Sequence, residues 1–218
     1  MRPAVSFRKK ASPVSMHNIA DNLKFFRQFL RSPKMVGSIY PTSGVVIDHL
    51  LGQVDWSATT IFVEYGPGVG TFTRPILERL RPDGRLIAID TCRDFIDHLE
   101  QEIADPRLIP VHGSAADIET ILRDHTAGKQ ADHVISGLPF STLPQGVGQE
   151  IAAATARALS PEGSFLIYQY SRFVLPLLRP HFAALGYRRL WRNIPPCFVF
   201  TARKGPSGQA IPGNSAAA

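Results

Sequence analysis

Between positions 64 and 71 the chain reads Glu-Tyr-Gly-Pro-Gly-Val-Gly-Thr, directly after the apolar run Ile61-Phe62-Val63. Glycines at 66, 68 and 70 free the backbone to take positive φ and remove the Cβ atoms that would hold a ligand away. A dinucleotide fingerprint would put its third glycine where this chain has Thr71. The spacing here is instead Glu-x-Gly-x-Gly-x-Gly. Further on, Arg85-Leu86-Ile87-Ala88-Ile89 ends on Asp90. An acid about 20 residues beyond a glycine bend, at the carboxyl end of the next strand, is placed to accept from ribose hydroxyls. A second chemical segment, Ser136-Gly137-Leu138-Pro139-Phe140-Ser141-Thr142-Leu143-Pro144, is stiffened by its two prolines. It offers fixed carbonyl acceptors beside an aromatic ring.

These residues need a frame that brings strand ends together. Strands are expected at 60–65, 85–90, 107–112, 131–136 and 164–170. Helices follow at about 71–81, 92–104, 117–125, 145–159 and 173–185. Gly186 is expected to stop the last helix, and two β-rich runs, Tyr187 to Ile194 and Cys197 to Arg203, close the fold around Ile-Pro-Pro. Strand–helix alternation implies a parallel sheet wound on both faces, with a terminal hairpin adding an antiparallel strand. Ligands of such sheets bind at the carboxyl ends of the strands. That rule adds the run His112-Gly113-Ser114-Ala115-Ala116-Asp117 to the candidate site.

A chain of 218 residues with 44% apolar and 19% charged side chains suits one globular domain with appendages. Cys92 and Cys197 match no metal or redox spacing, which suits a reducing cytosol. No apolar run is long enough to span a bilayer, and the basic amino terminus lacks a signal core. The histidines show no ligand spacing, so no metal is expected. The net charge of +6 is segregated: residues 1–34 hold eight cations and one acid, and residues 163–218 hold seven cations and no acid. Such ends predict an anionic partner, nucleic acid or a membrane surface. Ile19, Leu23, Phe26 and Leu30 recur at helical spacing, flanked by Lys24, Arg27 and Arg31. An aromatic-rich stripe rimmed by cations describes a helix lying in a lipid interface, and equally one that packs on its own domain.

The glycine bend resembles motif I of the class I S-adenosylmethionine-dependent methyltransferases. A narrower resemblance rests on four segments: Phe25 to Ser43, the Ser-Gly-Leu-Pro-Phe loop, Tyr-Gln-Tyr at 168–170, and Arg192 to Val199. Together, over residues 18–204, they look like the soluble bacterial phospholipid N-methyltransferases. The resemblance implies a Rossmann-like α/β fold, a seven-stranded, mostly parallel sheet with an antiparallel last strand and an amphipathic amino-terminal helix. It divides the chain into a flexible basic terminus (1–17), a membrane-associating helix and covering loop (18–44), a methyltransferase domain (45–204) and a disordered tail (205–218). It implies S-adenosylmethionine as methyl donor and stepwise methylation of phosphatidylethanolamine toward phosphatidylcholine. The enzyme is then expected to be cytoplasmic, a monomer in solution, and peripheral on the anionic inner face of the cytoplasmic membrane.

By the same resemblance, the donor-binding residues are Glu64, Tyr65, Gly66, Pro67, Gly68, Gly70, Asp90, Thr91, Ser114, Ala115 and Ser136. Asp90 takes the ribose and Glu64 the methionine ammonium. An amine with a pKa near that of lysine, about 10, must lose a proton before it can be methylated. Tyr40, Tyr168, Tyr170 and Ser136 offer hydroxyl acceptors. Tyr168 and Tyr170 share one face of a strand, and with Phe140 they are placed to surround the growing cation. Lys34, Arg172 and Arg179 are the candidates for a lipid phosphate. The adenine dimethylases of RNA are the rival family. Their corresponding loop opens on an Asn that accepts from the base amine, and this chain has Gly137 there. Nucleic acid is therefore not the expected partner. A silent, non-catalytic Rossmann core is the remaining alternative, and the intact Glu64, glycines and Asp90 speak against it.

Overall fold

The computed structural model describes residues 44–193 and 195–204. Tyr40, Lys34, the amphipathic stripe and the tail lie outside them.

The described chain runs α1 (Gly44–Leu51), β1 (Ile61–Tyr65), α2 (Thr73–Arg79), β2 (Arg85–Asp90), α3 (Arg93–Glu102), β3 (Leu108–His112), α4 (Ile118–Thr126), β4 (Ala131–Ser136), α5 (Val147–Ala158), β5 (Leu159–Gln169), α6 (Leu175–Leu178), β6 (Ala184–Leu190) and β7 (Cys197–Arg203). The strands form one sheet in the order β3-β2-β1-β4-β5-β7-β6. The pairs β1–β2, β1–β4, β2–β3 and β4–β5 are parallel. β7 alone runs the other way, antiparallel to both β5 and β6.

The inner strands are apolar on both faces, as a sheet covered on both sides requires. In β1, Ile61, Val63 and Tyr65 face the layer of α4 and α5, joining Ile118, Leu122, Ile151 and Ala152 in one core. Phe62 faces the other way and packs with Val46, Leu50, Ile76 and Leu99 of α1, α2 and α3. Burying each such Leu, Ile or Phe contributes about 1.5–3 kcal/mol. At the amino edge, Asp132 ties β1 to β4. Its Oδ2 accepts from the Thr60 N–H (2.7 Å), the Thr60 hydroxyl (3.0 Å) and the Ile61 N–H (2.9 Å). This clamp fixes the register that brings Tyr65 opposite Ser136 at the carboxyl edge.

The end of the chain departs from expectation in two places. The helix expected at 173–185 is only the single turn Leu175–Leu178. Pro176 lies in its first turn, where proline is tolerated, and Pro180 follows its end. Gly186 does not stop a helix; it sits within β6 opposite Thr201. β5 begins earlier than expected, at Leu159, but its register against β4 shifts between Ala131 and His133, so regular pairing starts at Ser164.

Candidate donor and amine site

The glycine bend leaves β1 with three positive-φ residues, Gly66 (φ 66°), Gly68 (φ 55°) and Gly70 (φ 87°). The Gly66 N–H donates to the Ile89 carbonyl at 2.9 Å, keeping the bend against β2, and the Gly70 N–H closes a turn on the Pro67 carbonyl at 2.9 Å. A Cβ on Gly66 would meet Leu138 Cδ2 at 2.9 Å, whereas one on Gly68 would meet nothing within 4 Å. Gly68 is thus the open part of the cradle, and Gly66 is where the first loop touches the loop after β4.

Two buried carboxyls face this bend. Glu64 is 3% exposed and accepts from the Thr73 hydroxyl at 2.7 Å. Burial pushes its pKa up to about 8, opposed by the Thr73 hydrogen bond and assisted by the charge of Asp90. Asp90 is also buried, and its Oδ1 accepts from the Cys92 N–H at 2.8 Å. Burial raises its carboxyl above the usual range, against the N–H groups of Cys92, Gly68 and Thr91 and nearby His112. Asp90 therefore already reaches across to the open glycine. Beyond it, Thr91 is exposed, with its carbonyl 3.2 Å from His112 Nε2. In the loop after β3, Ser114 accepts from the Ala116 N–H at 3.2 Å and Ala115 is buried. Asp117 is exposed and makes no capping bond to α4.

The loop after β4 forms the other wall. Ser136 is fully buried, and its Oγ accepts from the Leu138 N–H at 3.2 Å. The Gly137 N–H reaches the Tyr65 carbonyl at 3.3 Å. Gln169 donates to the Leu138 carbonyl and holds the loop to the end of β5. A Cβ on Gly137 would lie 2.7 Å from the Tyr168 hydroxyl and 2.9 Å from its Cε1. The Tyr168 ring therefore covers Gly137, and it is braced by Phe72 at 5.4 Å between centroids.

Two expected residues turn their rings away from the bend. Tyr65 is expected among the donor-binding residues, and strand alternation turns its ring into the core. There it is 0% exposed and its hydroxyl pairs with Thr155 at 2.9 Å, so only its backbone faces the bend. Phe140 was expected beside the transferred methyl. It is 2% exposed in the α5 core, whereas Tyr168 packs on the opposite face of the sheet. The turn that follows Pro139 aims the Phe140 ring inward, toward Gly148. Tyr170, Arg172 and Arg179 are exposed.

Thr73 and Gln169 are site residues that the sequence reading missed. Thr73 lies one helical turn past the bend, and Gln169 is the centre of the Tyr-Gln-Tyr motif; both positions were visible. Among the described residues, no cluster of three or more His, Cys, Asp or Glu is placed to hold a metal ion, and no helix is long and apolar enough to cross a membrane.

Residues 62–163 match a family model described as a methyltransferase domain. An ornithine lipid N-methyltransferase from Singulisphaera acidiphila is 27% identical over 189 residues, covering 84% of this chain and 96% of that protein. A shorter match, 38% over 68 residues, is to a ribosomal RNA small subunit methyltransferase A from a Burkholderia species; it covers 31% of this chain and 24% of that one. In structure, the chain resembles the 1,6-didemethyltoxoflavin-N1-methyltransferase of Burkholderia thailandensis, solved with S-adenosylhomocysteine. The TM-score is 0.64 at 17% identity, covering 90% of this chain and 93% of that one. The architecture is the Rossmann-like fold of the S-adenosylmethionine-dependent methyltransferases. The match to the methyltransferase-domain model spans the glycine bend, which is open at Gly68, flanked by two buried carboxyls and fits the adenosyl donor.

Proposed function

We propose that the chain N-methylates a lipid amine, converting phosphatidylethanolamine and its mono- and dimethyl forms toward phosphatidylcholine at the inner face of the cytoplasmic membrane. The observation that carries this reading is the packing of Tyr168 over Gly137. A nucleobase needs a ring to stack on and a side-chain acceptor for its amine. Here the loop ring, Phe140, is in the core, and the space for a side chain at 137 is filled by a phenol. What remains suits a slender aliphatic amine. The name of the Singulisphaera relative and the cationic chain ends support a lipid as its carrier.

When bound, S-adenosylmethionine supplies an electrophilic methyl group. The glycine bend, open at Gly68, admits it, Asp90 accepts from its ribose, and Glu64 balances its ammonium. The chain's remaining task is to present a neutral amine, since burial in the loop wall lowers an amine pKa. The Tyr168 hydroxyl accepts from an N–H of the primary and monomethyl amines and aims the nitrogen lone pair. The neutral dimethyl amine has no N–H and is placed by shape alone, so catalysis rests on positioning and desolvation.

The test is incubation of purified protein with labelled donor and either phosphatidylethanolamine vesicles or ribosomal RNA. Label should enter the lipid. The short match to the ribosomal RNA enzyme favours a second reading, adenine methylation, and label in RNA alone would establish that instead.

A further inference from the structure

Five large apolar side chains are exposed among the described residues: Val45, Val69, Tyr170, Phe173 and Trp191. All but Val45 fall in loops at one edge of the sheet. Val69 belongs to the glycine bend after β1, and Tyr170 and Phe173 follow β5. Trp191 opens the turn between β6 and β7. Leu190 pairs with Cys197, and both Gln169 and Arg189 pair with Phe198. The β6–β7 turn therefore stands at the carboxyl end of β5, on the edge that carries the donor bend. Trp191 is 67% exposed, and the Arg189 guanidinium lies 3.8 Å above its ring. Arg172, Arg188 and Arg192 are exposed nearby, and no Asp or Glu occurs from Gly163 to Lys204.

We infer that these loops form a docking surface for an anionic lipid bilayer, with Trp191 as its interfacial anchor, so that the mouth of the site faces the membrane. The inference rests on the lipid-amine reading. Apolar side chains that crowd one edge mark an interaction surface. Indole favours the headgroup level of a bilayer, and arginine forks suit lipid phosphates on an anionic leaflet. A nucleic acid would use the same cations, but the aliphatic Val69 exposed on the same edge suits acyl chains and not bases, and the lipid-amine reading favours a bilayer. The surface belongs to the described domain itself, apart from any contribution of residues 18–44.

The chain has two tryptophans. Trp56 is stacked on Phe62 at 5.5 Å, so a full-length Trp56→Phe variant keeps that ring contact and leaves Trp191 as the sole reporter. Vesicles of phosphatidylethanolamine and phosphatidylglycerol should shift its emission to the blue, and brominated acyl chains should quench it. Trp191→Ser should weaken vesicle partitioning about tenfold, the factor expected for one large apolar anchor, while methylation of detergent-dispersed phosphatidylethanolamine continues. Sedimentation with vesicles while Trp191 emission stays unshifted and unquenched would overturn the inference. So would a response of Trp191 to an RNA oligonucleotide and none to vesicles. If Trp191 is quenched by vesicles but dispersed lipid is never methylated, the docking surface stands and the substrate reading falls.

Discussion

Glu64 is the residue whose protonation reports on the donor. With a pKa of about 8 it is mostly protonated at neutral pH, and a cation brought beside it favours the carboxylate. Donor binding at pH 7 should therefore release close to one proton, and affinity should rise with pH and level off above 8. Calorimetry in two buffers of different ionisation enthalpy measures this, and Glu64→Gln should remove the Glu64 share. Stability without donor runs the other way. The folded carboxyl keeps its proton up to about 8 against an ordinary 4.5, so its contribution is complete below 4.5 and lost as pH rises through 8. Asp90→Ala removes an acceptor of the charge-assisted kind, about 1.5–3 kcal/mol, and donor Kd should rise roughly 10- to 150-fold. Gly137→Ala drives a Cβ into the Tyr168 hydroxyl, at 2.7 Å. It should lower kcat as Tyr168→Phe does, with donor Kd unchanged in both; weaker donor binding would mean the pair serves the bend and not the amine. The placement of the glycines, Glu64 and Asp90 at one bend was legible in sequence because a bend between one strand and one helix is local. The depth of Tyr65 and Phe140 was not, since it depends on which core layer each ring meets.

The strands and their carboxyl-end loops position those groups, and the amino edge sets their register. Asp132 accepts three hydrogen bonds from Thr60 and Ile61. Asp132→Ala should leave buried N–H groups unsatisfied at a cost of about 1–3 kcal/mol. That corresponds to a Tm lower by about 2–12 °C in a chain of this size, read by thermal melting, with Thr60→Ala milder. The first five strands could be read from apolar runs because a doubly covered sheet writes them plainly. The stretch after β5 could not. Phe173-Val174-Leu175 has the look of a helix start, but two prolines limit it to one turn. Ala184 and Leu185 become strand because β7, nearly twenty residues on, offers Arg203 and Ala202 as partners. Such pairing is non-local, so no window of sequence carries it.

On the scale of the molecule, the charge pattern and the site agree. The acids lie mainly in the middle of the chain, while the stretch from Gly163 through β6 and β7 carries only cations. That arrangement suits an enzyme that draws its substrate from an anionic surface. The lipid extract of a bacterial host that makes no phosphatidylcholine of its own, taken after the full chain is expressed and read by mass spectrometry, tests this most directly. Mono-, di- and trimethylated forms of phosphatidylethanolamine should accumulate, and Gly66→Val, strained at φ 66° and pressed against Leu138, should abolish them. An unchanged lipid profile from protein that still binds S-adenosylhomocysteine would contradict the account.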